Sequence, residues 1–456
     1  MPRRPNVIVF LTDQQRWDTL GLAGNPEGLT PNLDRMARRG AYFDAAITPQ
    51  PLCTPARSCL QTGRFASSNG VYRNGIPLDT DAETLAKIFG RAGYRCGYIG
   101  KWHLGDTSSR GPVRPEQRGG YHDWLAANAL EHTSDAYRTV VWDGDDQEVR
   151  LPGYRVDALT DAAIRYVDDH APGDGDDGQP FFLFLSFLEP HHQNHRDDYP
   201  APDGYDERYR GRWMPPDLAA LRGTAYQQLG GYYGMIKRLD EAYGRLVDAL
   251  RSLGQLDQTV IAFSSDHGNH FKTRNGEYKR SVHDASARVP LVINGPGVPR
   301  GRFVDEVVST VSLPATLLEL AGIAPPEGMQ PSLAAAMDPA APRRSGEAFI
   351  QVSETEVARG LRTSRWKYGI VAPAADPLRD QHSDHYVDGY LYDLQADPYE
   401  LTDLTGLPSH RAVADRLRTR IAEWMTLAGE PPARIDPAPE RAGNRQLTVS
   451  AEEVLL

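Results

Sequence analysis

The sequence predicts an α/β fold, with a mostly parallel central sheet flanked by helices and a smaller C-terminal α+β subdomain. Short apolar runs alternate with amphipathic helical patterns along most of the chain. Strands that alternate with helices pair in parallel and are covered by helices on both faces. Polar clusters directly follow four of the apolar runs. Because ligands bind beyond the carboxyl ends of the strands in such sheets, we expect these clusters to meet in one cleft.

The predicted elements of the central sheet follow one another in a regular order. The strands are short apolar runs at residues 6–11, 94–99, 180–188, 259–265 and 289–294. The helices carry apolar residues at helical spacing and span residues 30–40, 157–169, 235–253 and 312–320. Thr30 and Pro31 supply an N-cap and a first-turn proline, and Gly40 and Gly254 end two of the helices.

The C-terminal part of the chain changes character after residue 323. Residues 323–346 are rich in Pro, Ala and Gly, which is typical of a linker or an irregular excursion. Short strands are predicted beyond it at residues 348–352, 367–371 and 390–394, with a helix at 410–426 and a loosely ordered tail after 429. We therefore predict a catalytic α/β domain at residues 1–345 and a C-terminal α+β subdomain and tail at 346–456.

Composition excludes several classes of partner. The chain has 456 residues, 40% of them hydrophobic, which is enough to bury a large core. Its net charge of -11 argues against nucleic acid or an anionic membrane as partners. No apolar run approaches the roughly 20 residues that span a bilayer, and the run at residues 7–11 is shorter than the about 7–15 apolar residues of a signal peptide. We therefore expect a cytoplasmic protein.

Cys53 stands in the most informative segment of the chain. The three cysteines make a poor disulfide framework, and Cys59 and Cys96 are predicted to be structural. Residues 51–64 read PLCTPARSCLQTGR. Pro55 suits the first turn of a helix whose N-terminus faces Cys53, where free N–H groups and the helix dipole favour an anion. Arg57 can turn back toward the same point and is a candidate catalytic residue.

This segment resembles the type I sulfatase signature, Cys-x-Pro-x-Arg followed by a leucine and Thr-Gly. The resemblance is to the formylglycine-dependent sulfatase family of the alkaline-phosphatase-like superfamily. In that family a dedicated formylglycine-generating maturation enzyme oxidises the cysteine of the signature to formylglycine. The resemblance therefore implies formylglycine at residue 53 and that enzyme as a partner. One hydroxyl of the hydrated aldehyde attacks sulfur, and the second expels sulfate, a route closed to a serine ester.

The resemblance also implies a metal site. Asp13 and Gln14 follow the first predicted strand, and Asp266 and His267 follow a later one. A carboxylate at a strand end is often only a helix cap, but with Cys53 these residues resemble the family's divalent cation site. Calcium is the expected ion, with magnesium or manganese as alternatives. The family usually has a second aspartate where this chain has glutamine, a variation similar to phosphonate monoester hydrolases and choline-sulfatase-like members.

A further set of residues matches family motifs. Residues 100–105, GKWHLG, imply that Lys101 stabilises formylglycine and sulfate, and that His103 is the base for release of sulfate. Within the segment EPHHQ at 189–193, His191 is the expected acid for the leaving oxygen, with His192 as the alternative or as a substrate contact. Lys279 is expected to contact the sulfate and its bridging oxygen.

Three functions are compatible with these patterns. The leading one is a sulfatase that hydrolyses the sulfate monoester of a sugar or another small organic alcohol. The second is a phosphonate or phosphate ester hydrolase on the same scaffold, which the glutamine at 14 and the Asp-His pair at 266–267 keep open. The third is a binding protein that leaves Cys53 unconverted. Motifs near the C-terminus, among them LYDL at 391–394, extend the resemblance from about residue 6 to about residue 405.

Overall fold

The computed structural model describes residues 4–106, 110–171, 178–342 and 346–442. Within these ranges the strands are β1 (Asn6–Thr12), β2 (Ala41–Phe43), β3 (Ala46–Ile47), β4 (Arg95–Lys101), β5 (Asp123–Ala127), β6 (Thr139–Asp143), β7 (Glu148–Leu151), β8 (Phe181–Ser186), β9 (Thr259–Ser265), β10 (Arg288–Val289), β11 (Leu291–Asn294), β12 (Arg302–Val304), β13 (Val308–Ser309), β14 (Ala348–Val352), β15 (Ala358–Arg362), β16 (Trp366–Val371), β17 (His385–Asp393) and β18 (Arg434–Asp436).

Helices lie between most of these strands. They are α1 (Pro31–Ala37), α2 (Cys53–Thr62), α3 (Ala66–Asn69), α4 (Leu85–Arg91), α5 (Leu130–Thr133), α6 (Arg155–Asp169), α7 (Tyr205–Tyr209), α8 (Pro216–Ala220), α9 (Ala225–Ser252), α10 (Asp284–Ala287), α11 (Leu313–Leu320), α12 (Ala334–Met337) and α13 (Arg411–Leu427). In the described part of the chain, none of them combines the length and the apolar character that a bilayer crossing requires.

A ten-stranded sheet forms the centre of the described structure. Its strand order is β12-β2-β11-β9-β1-β8-β4-β5-β6-β7. The middle block of β9, β1, β8, β4 and β5 is parallel throughout. The antiparallel pairs lie toward the two edges, where β11 meets β9 and where β6 meets β5. The predicted α/β class with a mostly parallel sheet is confirmed.

The two faces of the sheet carry separate apolar clusters because successive strand residues point to opposite sides. On one face, Val7 and Val9 of β1 pack in a cluster with Phe89 of α4. On the other face, Ile8 packs in a cluster with Leu246 of α9. Because β1, β4, β8 and β9 pair in parallel between these clusters, their carboxyl ends lie side by side at one edge of the sheet.

A smaller sheet lies in the C-terminal part. Strands β14 to β17 pair antiparallel in sequence order, and β18 joins β17 in parallel. Helix α13 packs on this sheet, with Leu417 and Ile421 in one cluster with Phe349 and Trp366. This arrangement is the predicted α+β subdomain.

Three sequence-based expectations differ from the structure. The predicted strand 289–294 is split at Pro290, which cannot donate to a ladder, so β10 pairs with β3 and β11 with β9. The predicted helix 235–253 begins at Ala225. Its first turns contain glycines that allow close packing, since a Cβ on Gly231 would lie 2.2 Å from the carbonyl oxygen of Tyr199. The tail expected to be loose contributes β18 at its start, and residues 443–456 lie outside the described residues.

Candidate active site

Four strand ends and one helix start build a buried site. Asp13 follows β1, Lys101 ends β4, His191 lies in the loop after β8, and Asp266 follows β9. Cys53 is the first residue of α2, and its side chain is at the centre of the group. The polar groups that follow the parallel strands therefore meet at the carboxyl edge of the sheet, as expected.

The thiol of Cys53 is surrounded by cationic and imidazole groups. Its Sγ lies 2.8 Å from Lys279 Nζ, 3.3 Å from His267 Nε2 and 3.8 Å from Asp13 Oδ1. Burial raises the pKa of Cys53, but the charges of Lys101 and Lys279 outweigh it and hold that pKa well below the ordinary value. An anion at this position is strongly favoured, as the N-terminal place in α2 predicts.

The acidic and imidazole groups beside Cys53 form a set of donors that fits a divalent cation. The ligand atoms of Asp13, Cys53, Asp266 and His267 all lie within 4.8 Å of one another. His267 Nε2 is 3.5 Å from an oxygen of each aspartate. The side-chain oxygen of Gln14 is buried and has no hydrogen-bond partner among the described residues, which leaves it free to bind an ion.

The electrostatics of the two aspartates support the same fit. Burial and the neighbouring charge of Asp13 raise the pKa of Asp266. Burial also raises the pKa of Asp13, but Lys101 and the other nearby cations lower it overall. Two buried carboxylates this close repel one another, and a divalent cation between them would relieve that repulsion. Asn269, two residues after His267, is engaged elsewhere, since its Nδ2 donates to the Tyr199 hydroxyl and its Oδ1 accepts from the Phe271 N–H.

Arg57 holds the donor set together. Its Nε lies 3.1 Å from Asp266 Oδ2, and its Nη2 lies 3.0 Å from Asp13 Oδ2. Its Nη1 donates to the carbonyl oxygen of Lys101 and to Ser186 Oγ. The planar fork of the guanidinium thus fixes both carboxylates at once. Ser186 ends β8 and was not singled out from the sequence.

Lys101 lies between Asp13 and a second buried carboxylate, that of Glu131. Its Nζ lies 2.8 Å from Asp13 Oδ2 and 3.0 Å from Glu131 Oε1. The same Glu131 oxygen is 3.9 Å from His103 Nε2. Burial raises the pKa of Glu131, but Lys101 and then His103 lower it to about 2, so this carboxylate is ionised.

Glu131 is the main residue that sequence reasoning missed. It lies just beyond β5, a strand that was not predicted, and in the short helix α5. Had the run at 123–127 been interpreted as a strand, the polar residues Asn128 and Glu131 would have formed a fifth cluster at a strand end. Asn128 also shapes the turn at His103, whose backbone N–H donates to the Asn128 carbonyl and whose φ is 61°.

The two histidines after β8 have different surroundings. His191 Nε2 lies 3.0 Å from Lys279 Nζ, and burial followed by the Lys279 charge lowers the pKa of His191. The His192 ring stacks on His191 at a centroid distance of 4.3 Å and lies tilted against the Tyr278 ring at the same distance. His191 therefore contacts the groups around Cys53, whereas His192 lies one ring further away.

Comparison with known proteins agrees with this geometry. The family model described as Sulfatase matches residues 5–323, and the model described as N-sulphoglucosamine sulphohydrolase, C-terminal, matches residues 276–426. The ulvan-active sulfatase of Formosa agariphila is 29% identical, over 94% of this chain and 82% of that protein. The N-acetylglucosamine-6-O-sulfatase of Bacteroides thetaiotaomicron is 25% identical, over 89% of this chain and 83% of that protein.

Solved structures share the fold over almost the whole chain. The structure of yidJ from Bacteroides fragilis gives a TM-score of 0.79 at 25% identity, covering 94% of this chain and 97% of that one. The structure of the phosphonate monoester hydrolase of Agrobacterium radiobacter gives a TM-score of 0.69 at 23% identity, covering 93% of this chain and 95% of that one. The second likeness concerns the fold alone.

The fold and the matched family model place the chain in the alkaline-phosphatase-like superfamily. With a family model that spans most of its length, the chain belongs to the sulfatase family. It is a sulfuric ester hydrolase. Membership of this family implies a divalent metal and a formylglycine derived from cysteine, and the cluster of Asp13, Cys53, Asp266 and His267 is compatible with both.

Proposed function

We propose that the mature protein hydrolyses the sulfate monoester of a sugar or another small organic alcohol, with formylglycine at residue 53 beside one divalent cation. The observation that carries this proposal is the position of Cys53 at the start of α2, within 2.8 Å of Lys279 Nζ. The relative from B. thetaiotaomicron acts on a sulfated amino sugar by its name, which supports a sulfated sugar as substrate here.

In this proposal Cys53 Sγ stands where a hydroxyl oxygen of the hydrated aldehyde lies in the mature enzyme. That oxygen attacks sulfur, and the bond from sulfur to the alcohol oxygen breaks. Lys101 and Lys279 stabilise negative charge on the sulfate, and His191 with Lys279 supplies the proton to the leaving oxygen. His192 stacks on His191 and is the proposed substrate contact.

Release of sulfate needs a base for the second hydroxyl of residue 53. His103 takes that proton, the bond from carbon to the sulfate oxygen breaks, and the aldehyde forms again. Water then adds to the aldehyde and restores the hydrate. Arg57 keeps the carboxylates of Asp13 and Asp266 in position through both halves, so we assign it a positioning role in place of the catalytic role expected from the sequence.

Asp13, Gln14, Asp266 and His267 are the proposed metal ligands together with residue 53. A bound cation supplies charge that favours the ionised hydroxyl and stabilises the sulfate oxygens. Calcium follows from the family resemblance, and magnesium or manganese would use the same oxygens. The imidazole of His267 adds a nitrogen donor, which shifts the preference toward manganese relative to a site made only of oxygen.

A phosphonate or phosphate ester hydrolase is the second candidate. Gln14 in place of a second carboxylate and the imidazole of His267 give the site less negative charge, which favours a more highly charged substrate. Steady-state kcat/KM for nitrophenyl sulfate and for a phenylphosphonate monoester separates the two functions. We expect the sulfate ester to be the better substrate; a higher value for the phosphonate would reverse the assignment.

The formylglycine-generating maturation enzyme is the proposed partner, and the substrate is a small anionic ester. We also propose the division into residues 1–345 and 346–456. It is supported by the pairing of β14 to β18 with one another, apart from the ten-stranded sheet. The two parts nevertheless share an apolar cluster in which Ile47 of β3 packs with Ile350 of β14.

A further inference from the structure

Lys279 lies in a long segment that has no regular structure of its own. Residues 266–283, between β9 and α10, contain no helix or strand. The ammonium of Lys279 is nevertheless placed 2.8 Å from Cys53 Sγ, and the residue is only 5% exposed. A backbone without helical or ladder hydrogen bonds is held by contacts from other parts of the chain. The position of Lys279 therefore depends on those contacts.

The C-terminal subdomain supplies a buried cation to the end of this segment. The side chain of Lys367, in β16, has no exposed surface, and its Nζ donates to the Val282 carbonyl oxygen at 2.7 Å and to Asp284 Oδ1 at 2.6 Å. Glu400 completes the arrangement, because its Oε1 lies 3.2 Å from the same ammonium and its Oε2 accepts from the Asp284 N–H at 2.7 Å. Two residues of the subdomain thus hold the chain at 282 and 284.

Two further residues join the subdomain to the same segment. Arg274 donates from Nη1 to the Glu400 carbonyl oxygen and from Nη2 to the Tyr399 carbonyl oxygen, both at 2.9 Å. Thr355, in the turn between β14 and β15, donates from Oγ1 to the Arg280 carbonyl oxygen at 2.8 Å. Residue 280 directly follows the lysine, so the subdomain contacts the segment on both sides of residue 279.

The contacts of Glu400 are better explained by position than by stability. Its φ is 56°, in the left-handed region that a residue with a Cβ rarely adopts. Strained backbone of this kind persists only where the surrounding structure holds it. Buried ion pairs such as Lys367–Glu400 also add little net stability, because desolvation of the two charges offsets much of their attraction.

We infer that Lys367, Glu400 and Thr355 are positioning residues, through which the C-terminal subdomain holds the Lys279 ammonium beside residue 53. The inference rests on the proposed function, in which Lys279 stabilises negative charge on the sulfate. A displacement of about 1 Å at a group that contacts the reacting atoms lowers the rate by about 100-fold. The subdomain thus contributes to catalysis through the segment 266–283.

Glu400→Ala removes two of these contacts and keeps the Lys367–Asp284 pair. In the mature enzyme we expect it to lower kcat/KM for nitrophenyl sulfate about 10- to 100-fold. Glu400→Gln keeps an acceptor for the Asp284 N–H and should lose less than about threefold. In a Lys279→Ala background, Glu400→Ala should change kcat/KM by less than about twofold, since the group that it positions is absent. An equal loss in both backgrounds would overturn the inference.

Hydrogen exchange gives a second readout that does not need activity. In the protein with unconverted Cys53, the peptide that contains residues 279–284 should exchange its amides about tenfold faster in Glu400→Ala than in the natural protein. Thr355→Val removes one hydroxyl contact of a half-buried residue, so it tests the inference even if Glu400→Ala fails to fold. It should also speed this exchange and lower kcat/KM, by about threefold.

The matched control is Asp388→Ala. It removes another buried carboxylate of the C-terminal sheet, whose partners include Arg418 of α13 and the Tyr368 hydroxyl. The exchange of the 279–284 peptide and the value of kcat/KM should both stay unchanged in this variant. A faster exchange of that peptide in Asp388→Ala would mean that any loss in the sheet loosens the segment, which would overturn the specific role of Glu400.

The outcomes separate this inference from the proposed function. If Lys279→Ala keeps full activity, or if the mature protein does not hydrolyse nitrophenyl sulfate, the proposed function fails, and hydrogen exchange still decides whether the subdomain holds the segment. If Lys279→Ala loses activity while Glu400→Ala and Thr355→Val match the natural protein, the inference alone fails. Faster exchange in these two variants with unchanged kcat/KM would also overturn it.

Discussion

Lys279 Nζ lies 3.0 Å from His191 Nε2, while His191 Nδ1 lies 2.6 Å from the carbonyl oxygen of His192. A carbonyl oxygen only accepts, so Nδ1 carries the ring hydrogen and Nε2 accepts from the Lys279 ammonium. Burial and that ammonium keep the pKa of His191 low, so the ring is neutral at rest. A proton therefore reaches the leaving oxygen from the Lys279–His191 pair acting as one unit.

This arrangement predicts non-additive losses for substitutions in the pair. His191→Ala and Lys279→Ala should each lower kcat/KM for an alkyl sulfate by about 10²- to 10⁴-fold, and the double variant should lose little more than the worse single variant. The losses should be smaller for nitrophenyl sulfate, because its leaving oxygen needs less protonation. If the loss of kcat/KM in the double variant equals the product of the two single losses, with both substrates, His191 and Lys279 act independently.

Arg57 is predicted to matter chiefly for stability of the metal-free protein. Arg57→Ala leaves the buried carboxylates of Asp13 and Asp266 without their shared partner. We expect the free energy of unfolding in urea to fall by about 3–5 kcal/mol. Arg64→Ala is the matched control, since Arg64 is exposed and its guanidinium donates to the backbone oxygen of Glu327. If the free energy of unfolding falls by a similar small amount in both variants, Arg57 does not stabilise the two buried carboxylates.

The metal site predicts a change of ion preference in His267→Asn. Chelation should abolish activity, and the variant should bind calcium over manganese more favourably than the natural protein, by about tenfold, because an amide oxygen replaces the imidazole nitrogen. Calorimetric titration of the metal-free proteins with each ion measures this ratio. His270→Gln is the control, as His270 lies outside the donor set. If the ratio of calcium to manganese affinity is unchanged in His267→Asn, His267 is not a metal ligand.

His270 predicts part of the pH dependence of stability. Burial lowers its pKa to about 4, and its Nε2 donates to the Lys279 carbonyl oxygen at 3.0 Å. The folded state thus favours the neutral ring, so stability is fully present above the unfolded pKa of about 6.5 and is lost as pH falls toward 4. His270→Gln cannot take up this proton.

The expected difference is measurable by urea unfolding at several pH values. Between about pH 7.5 and about pH 4.5 the natural protein should lose about 2–3 kcal/mol more than His270→Gln. Identical pH dependence in the two proteins would mean that His270 is as easily protonated in the fold as in the unfolded chain.

Sequence reasoning located the site because its residues follow strands with strong apolar signals. Asp13, Lys101 and Asp266 stand directly after or at the end of such strands, and topology brings strand ends together whatever the loops do. Cys53 was identifiable because a helix start, a proline and an arginine follow it at fixed spacing. Both patterns are local in sequence and therefore visible without a structure.

What was missed depends on contacts between distant segments. Glu131 follows β5, whose mixed composition hides the strand, and its importance comes from Lys101 and His103 about thirty residues earlier. The first turns of α9 were missed because glycines are typical of loops. In the fold the missing side chain of Gly231 allows the backbone of Tyr199 to pack against the helix. The missing N–H of Pro290 predicts an interruption of the strand at that residue. It does not predict that β10 pairs with β3 and β11 with β9.

The central claim is that Cys53 is the precursor of the nucleophile in a sulfatase. Peptide mass spectrometry of the segment around residue 53, from active protein made with a formylglycine-generating enzyme, tests it most directly. We predict a peptide about 18 Da lighter than the encoded one, in a fraction that rises with specific activity toward nitrophenyl sulfate. Fully active protein that carries an unmodified thiol at residue 53 would contradict the account.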